Sequence, residues 1–164
     1  MWGKVADCGT DSQNDGVSFG FIGRFDVTID SKSRLVIAAC FRGLLPDAVV
    51  LHKNRSQMCI DVLPPSVWND YLARLGRMPM LDRRAQRFLT IETASAVEAK
   101  IDRMGRLLLS ADMRGFIGVN AGDDAVVTGA GDRIKIWNTA VWEKFACPDE
   151  LVELEESLFK DYEI

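Results

Sequence analysis

Ile29-Asp30-Ser31-Lys32-Ser33-Arg34-Leu35 and Ile101-Asp102-Arg103-Met104-Gly105-Arg106-Leu107 decide the fold, because they are one segment written twice, 72 positions apart. Other matches flank them in order. Phe41-Arg42-Gly43 meets Met113-Arg114-Gly115, Asp47-Ala48-Val49-Val50 meets Asp124-Ala125-Val126-Val127 after a small insertion, and Val67-Trp68 meets Val141-Trp142. A unit of this size is too small to bury a sheet alone, so two copies are expected to close on each other and leave few free edges. The recurring core is Asp-x-x-x-Arg between two short strands. The Asp30 or Asp102 carboxylate can accept backbone N–H groups of a tight turn. The Arg34 or Arg106 guanidinium then pairs with that carboxylate or points outward. Gly105 supplies the positive φ of the second turn.

Working outward, Phe21, Phe25, Val27 and Ile29 alternate with Ile22, Arg24, Asp26 and Thr28, which predicts a strand. Further strands are expected at Leu35–Ile37, Ala48–His52, Met58–Val62, Val97–Ile101, Leu107–Leu109, Ala125–Thr128 and Arg133–Trp137. A short helical turn is expected at Cys40–Leu45, and Ser110 is placed to cap its counterpart. Pro64-Pro65-Ser66 opens a helix with Val67, Trp68, Tyr71, Leu72 and Leu75 at helical spacing. In a second helix Leu81, Ala85, Phe88 and Leu89 form the apolar stripe, opposite Arg83, Arg84 and Arg87. Thr139 leads another helix. After Pro148, Leu151, Leu154 and Leu158 lie on one side of an acidic one. Trp68 and Trp142 sit on apolar stripes and are read as packing residues.

The expected organisation is a flexible arm over 1–19, a first repeat with its helical pair over 20–92, a second repeat over 93–146, and an acidic helix over 147–164. The 164 residues are 48% apolar and 27% charged, a globular composition. No apolar run reaches the roughly 20 residues of a membrane helix, and no basic segment followed by an apolar stretch marks a secretory signal. Cys8, Cys40, Cys59 and Cys147 are scattered and His52 is the only histidine, so neither a zinc site nor a histidine-based triad is expected. Buried or half-buried thiols are expected instead. No phosphate-binding Gly-rich loop is present, and no metal or cofactor is called for.

Charge separates the halves. Residues 20–90 carry 11 Lys and Arg against 6 Asp and Glu, whereas residues 91–164 carry 8 against 15. An anionic partner is therefore expected on the first half. Arg34 and Lys32 are the first candidates for DNA contact, with Arg24 and Arg42 as further phosphate contacts. Arg106 is assigned a structural pairing with Asp102. Arg83, Arg84 and Arg87 are read as a solvated face or a subunit contact.

The tandem motifs with Asp30, Lys32, Arg34, Arg42, Asp102, Gly105, Arg106 and Arg114, the segment Arg83–Leu89, and Ile134-Lys135-Ile136-Trp137 with Trp142 resemble the MraZ family. That family lies within the AbrB/MazE superfamily of swapped-hairpin β-barrels. The resemblance covers roughly residues 21–146. It implies a mainly β protein with helices, as a pseudo-two-fold, double-psi-like barrel formed by the two repeats. It also implies a bacterial, cytoplasmic, nucleoid-associated regulator, most simply a repressor. Such a protein binds repeated promoter elements of the cell-division and cell-wall gene cluster as a ring-like homo-oligomer. Ser33 and Ala38 depart from the family pattern, which has Gly and Pro there. Two other classes stay open: an antitoxin-like protein whose acidic tail embraces a basic partner, and an assembly protein without DNA affinity. An enzyme is disfavoured, since no catalytic constellation is present.

Overall fold

The computed structural model describes residues 20–162. The expected arm over 1–19 lies outside the described residues. Eight strands and six helices follow one another as β1 (Arg24–Thr28), β2 (Arg34–Val36), α1 (Ala39–Arg42), β3 (Ala48–Asn54), β4 (Cys59–Leu63), α2 (Pro65–Leu75), α3 (Arg83–Ser95), β5 (Val97–Lys100), β6 (Arg106–Leu108), α4 (Ala111–Ile117), β7 (Asp124–Gly129), β8 (Ile134–Asn138), α5 (Thr139–Phe145) and α6 (Pro148–Tyr162). The class is mixed: a six-stranded sheet in the order β1-β7-β8-β4-β3-β5, a separate ribbon β2-β6, and the helices around them.

Every strand pair is antiparallel; β3·β4 and β7·β8 are hairpins within a copy, and the other four ladders join one copy to the other. β1 of the first copy pairs with β7 of the second, and β5 of the second pairs with β3 of the first. Two ladders join equivalent strands. In β2·β6 Leu35 faces Leu107, and in β4·β8 Asp61 faces Lys135. A pseudo-two-fold axis thus passes through both pairs, and the six-stranded sheet is built from strands of both halves.

The main core lies between the ribbon and one face of the sheet. Leu35, Ile37, Leu107 and Leu109 meet Val49, Leu51, Ile60, Val62, Ala125, Val127, Ile134 and Ile136, and Phe41 and Met113 plug the ends. On the other face, Trp137 with Cys59 and Val126 packs under Val141 and Trp142 of α5. In the first copy, Trp68 and Tyr71 of α2 lie over His52 with ring centroids 5.7 and 5.6 Å away. Both tryptophans are packing residues, as expected. Cys59 is buried and Cys40 and Cys147 are half-buried. Burial pushes the Cys59 thiol up to about 12.

Three expectations need correction. β1 starts at Arg24, because Gly23 takes φ +118 and breaks the strand after Phe21. The third strands align one residue differently from the sequence match: core residues Val49 and Leu51 are equivalent to Ala125 and Val127, so the insertion is one residue shorter. A one-residue slip in a strand moves every side chain to the opposite face, so burial decides the register. On α3, Leu81 just before the helix is 97% exposed and Phe88 is 45% exposed, while Glu92 takes the buried position.

Candidate nucleic-acid interface

Each Asp-x-x-x-Arg segment closes a turn whose hydrogen bonds the sequence dictates. Asp30 Oδ1 accepts the N–H groups of Lys32 and Arg34, both at 2.9 Å, and the Arg34 guanidinium binds Asp30 Oδ2 at 2.9 and 2.8 Å. The second copy repeats this. Asp102 Oδ1 accepts from Met104 and Arg106 at 2.9 Å, and Arg106 Nε reaches Asp102 Oδ2 at 2.7 Å. The Arg34 backbone N–H and then its guanidinium hold the Asp30 carboxyl below its ordinary 3.8. At Asp102 the Arg106 N–H does the same. Guanidinium groups carry five N–H donors, so each arginine keeps donors beyond those its aspartate occupies.

Both turns need a left-handed residue. Gly105 supplies it at φ +76, whereas Ser33 adopts φ +62 with a side chain. An L-residue there costs roughly 1–2 kcal/mol, partly offset by the greater unfolded-state freedom of glycine. Ser33→Gly is therefore expected to stabilise the protein by about 0.5–1 kcal/mol in urea unfolding. A loss of stability would show that the Ser33 side chain contributes more than its backbone costs. Ala38 is accommodated differently. Its φ of −56 is one a proline would fix, and no side chain caps α1, whereas Ser110 Oγ accepts from the Met113 N–H at 3.3 Å in the second copy.

The β2·β6 ladder joins the two turns, which lie at its opposite ends. Its inner face holds Leu35 and Leu107. Arg34 stands opposite Leu108 and Arg106 opposite Val36, so both arginines share the outer face with two exposed apolar residues. Lys32 and Arg103 extend from the two turns, and among the described residues neither forms an ion pair. Arg42 crosses to the other copy: a Cβ at Gly105 would meet Arg42 Cδ at 2.5 Å, so the Arg42 side chain lies against the second turn. Its counterpart Arg114 instead donates Nε to the Leu109 carbonyl at 3.3 Å. Arg24 stands apart. It pairs with Asp26 at 3.0 Å and lies over the Trp142 ring at 5.9 Å, beside α5.

Two features escaped the sequence. Arg103 was within the motif but was masked by the acidity of its half, much of which resides in α6. The second is a buried charge cluster. Glu92 of α3 accepts from Tyr71 at 3.0 Å, bonds His52 Nε2 at 2.5 Å and pairs with Arg55. Asp61 binds Lys135 at 2.8 Å and Arg133 at 3.5 Å, and lies 3.8 Å from His52, an ion-pair separation. Burial disfavours the imidazolium, but the Asp61 and Glu92 carboxylates outweigh it and raise His52 above its ordinary 6.5. Burial, then the Glu92 carboxylate, pushes the Tyr71 hydroxyl up to about 12. A cavity of about 420 Å³ opens beside this cluster, yet Lys53, Arg55 and Arg133 on its wall are each committed to a carboxylate. The cluster therefore serves as the fastening of α3 to the sheet.

A family described as "MraZ protein, putative antitoxin-like" matches residues 93–161. The chain is 34% identical to the transcriptional regulator MraZ of Thermoanaerobacter pseudethanolicus over 76% of its length and 85% of that protein. It is 31% identical to the transcriptional regulators MraZ of Leuconostoc mesenteroides and Desulfitobacterium hafniense, over 76% and 77% of its length and 85% and 86% of theirs. At this identity and over this share of both chains, the chain belongs to the MraZ family of transcriptional regulators.

Proposed function

We propose that this regulator acts by binding promoter DNA sequence-specifically, as a repressor, with the β2·β6 ribbon as its reading surface. The carrying observation is the pairing of equivalent strands, which sets Arg34 and Arg106 diagonally on one exposed face with a basic turn at each end of the ribbon. A two-stranded ribbon has the width that the major groove of B-DNA admits. Arg34 takes the base-edge role and Lys32 a phosphate role. Arg103 and Arg106 of the second turn, with Arg42 of α1 lying against it, stand at the other end of the ribbon, and Arg24 is the outermost phosphate candidate. The strand exchange between copies supports a swapped-hairpin barrel as the scaffold.

One chain offers few phosphate contacts. Useful affinity then needs several chains engaging repeated elements at once, which favours a ring-like homo-oligomer. The family resemblance points to promoters of the cell-division and cell-wall gene cluster as targets, and to a cytoplasmic, nucleoid-associated protein. No described helix is long and apolar enough to cross a membrane.

The test is a gel shift on the region upstream of the gene for this protein, at several salt concentrations. Log K is expected to fall with log salt by about 0.9 for each phosphate neutralised. No shift at low salt, or a shift equal to that of random DNA, overturns the reading.

A further inference from the structure

Among the described residues, α6 is an amphipathic helix with nothing beneath it. Leu151, Val152, Leu154, Leu158, Phe159 and Tyr162 are 40–70% exposed and lie on one side of its 15 residues. An isolated helix of this length is marginal in water, so a packed partner is what such a stripe requires. Acidic residues surround this side: Glu150 and Asp161 border one edge, Asp149 and Glu156 the other, Glu155 stands within it, and Lys160 is the single basic residue of the helix.

The complementary surface exists on the same chain. On α3, Arg84, Arg87, Phe88 and Ile91 recur at helical spacing, and Phe88 and Ile91 are 45% and 42% exposed. Met80 and Leu81 extend this surface at 83% and 97% exposed. At 1.5 Å per residue the two helices are about 20 and 22 Å long, so they match in length as well as in pattern and charge. Glu92, which fastens α3 to the sheet, lies one turn beyond Phe88 at the edge of this stripe, while Arg84, Arg87 and Ile91 stand farther round on the exposed side.

We infer that α6 of one chain docks on the α3 stripe of a second copy, apolar against apolar and carboxylate against guanidinium. The contact is heterologous. Each chain gives one face and receives on another, so the assembly continues until it closes. This inference deepens the self-assembly part of the proposed function and rests on it, but it does not depend on DNA binding.

The test uses two full-length variants, Leu154→Asp/Leu158→Asp with a broken α6 and Phe88→Asp/Ile91→Asp with a broken α3 stripe. Masses are read by sizing with light scattering at micromolar concentration. All four positions are exposed in the single chain, and far-UV circular dichroism and melting confirm that each variant folds. The wild type is expected to exceed a dimer and each variant alone to be one chain. Their mixture is expected to form a dimer and nothing larger, since one intact α6 meets one intact α3. A variant that keeps the wild-type mass overturns the pairing while leaving self-assembly standing. A monomeric wild type overturns both. A second pair guards against local effects of the aspartates: Arg84→Glu/Arg87→Glu is expected to dissociate the assembly, and adding Glu155→Lys/Asp161→Lys, which lie within and beside the docking side of α6, to restore it. Failure to restore it overturns the charge pairing.

Discussion

Asp61→Ala is expected to lower the stability of the protein by about 3–5 kcal/mol, the usual cost of leaving a buried charge without its partner. The Asp61 side chain is 3% exposed and sits at the pseudo-two-fold axis, facing Lys135, whose side chain is 13% exposed. Burial alone would raise the Asp61 carboxyl, yet His52, Lys135 and Arg133 hold it below 3.8. The folded state therefore depends on its ionised form. Without it, the Lys135 ammonium keeps only Gln57 Oε1 at 2.9 Å. Arg133 suffers less, because Asp132 binds it at 2.7 and 2.9 Å. Asp61→Leu combined with Lys135→Leu is expected to lose less than Asp61→Ala, since it removes both charges from the axis. Urea unfolding measures all three proteins, with unchanged m-values as the check that the same transition is compared. A loss below about 1 kcal/mol for Asp61→Ala would show that water reaches Lys135 and that the pair is not the clamp described here.

The charged axis also shows what a sequence hides. The repeat was legible because Asp-x-x-x-Arg is a local device: the turn is closed by atoms within five residues, and its hydrogen bonds follow from residue type. Alternation gave most strands for the same reason. Asp61, Lys135 and His52 could not be paired this way, since each is an ordinary polar residue in a strand until the strands of two copies are placed together. Glu92 is harder still. A glutamate on an Arg-rich helix reads as part of a solvated face, and the apolar Leu81 and Phe88 read as the docking side. The structure keeps Ala85 and Leu89 on the half-buried side and adds Glu92 to it, because His52 of β3, Arg55 just after that strand and Tyr71 of α2 meet that carboxylate. Those partners lie 21 to 40 residues away in the chain. Residue identity aligns Asp47 with Asp124, one residue off the structural register, because the fold selects for which side chains reach the core and not for identity.

Arg34→Ala is expected to weaken operator binding by at least about thirty-fold. An arginine bidentate to guanine contributes on the order of 1–3 kcal/mol of discrimination, and two chains engaging two repeats would double that in one complex. Unfolding does not account for such a loss, because the Asp30–Arg34 pair is partly exposed and holds the fold by no more than about 1 kcal/mol. Arg106→Ala is the informative companion. The charge of the two halves assigns DNA contact to Arg34 and leaves Arg106 to Asp102. Geometry treats them alike: each binds its own aspartate through the same atoms, and each stands on the outer face of one ribbon. With Arg42 and Arg103 beside it, the second turn is basic despite the acidity of its half. The expectation is therefore comparable losses from Arg34→Ala and Arg106→Ala, with the mass of the assembly and the melting temperature nearly unchanged in both. Binding by Arg106→Ala at the wild-type level, beside a loss in Arg34→Ala, would confine the DNA to the first turn. Wild-type binding by both would remove the ribbon from the interface, and the basic stripe of α3 would then be the surface to examine.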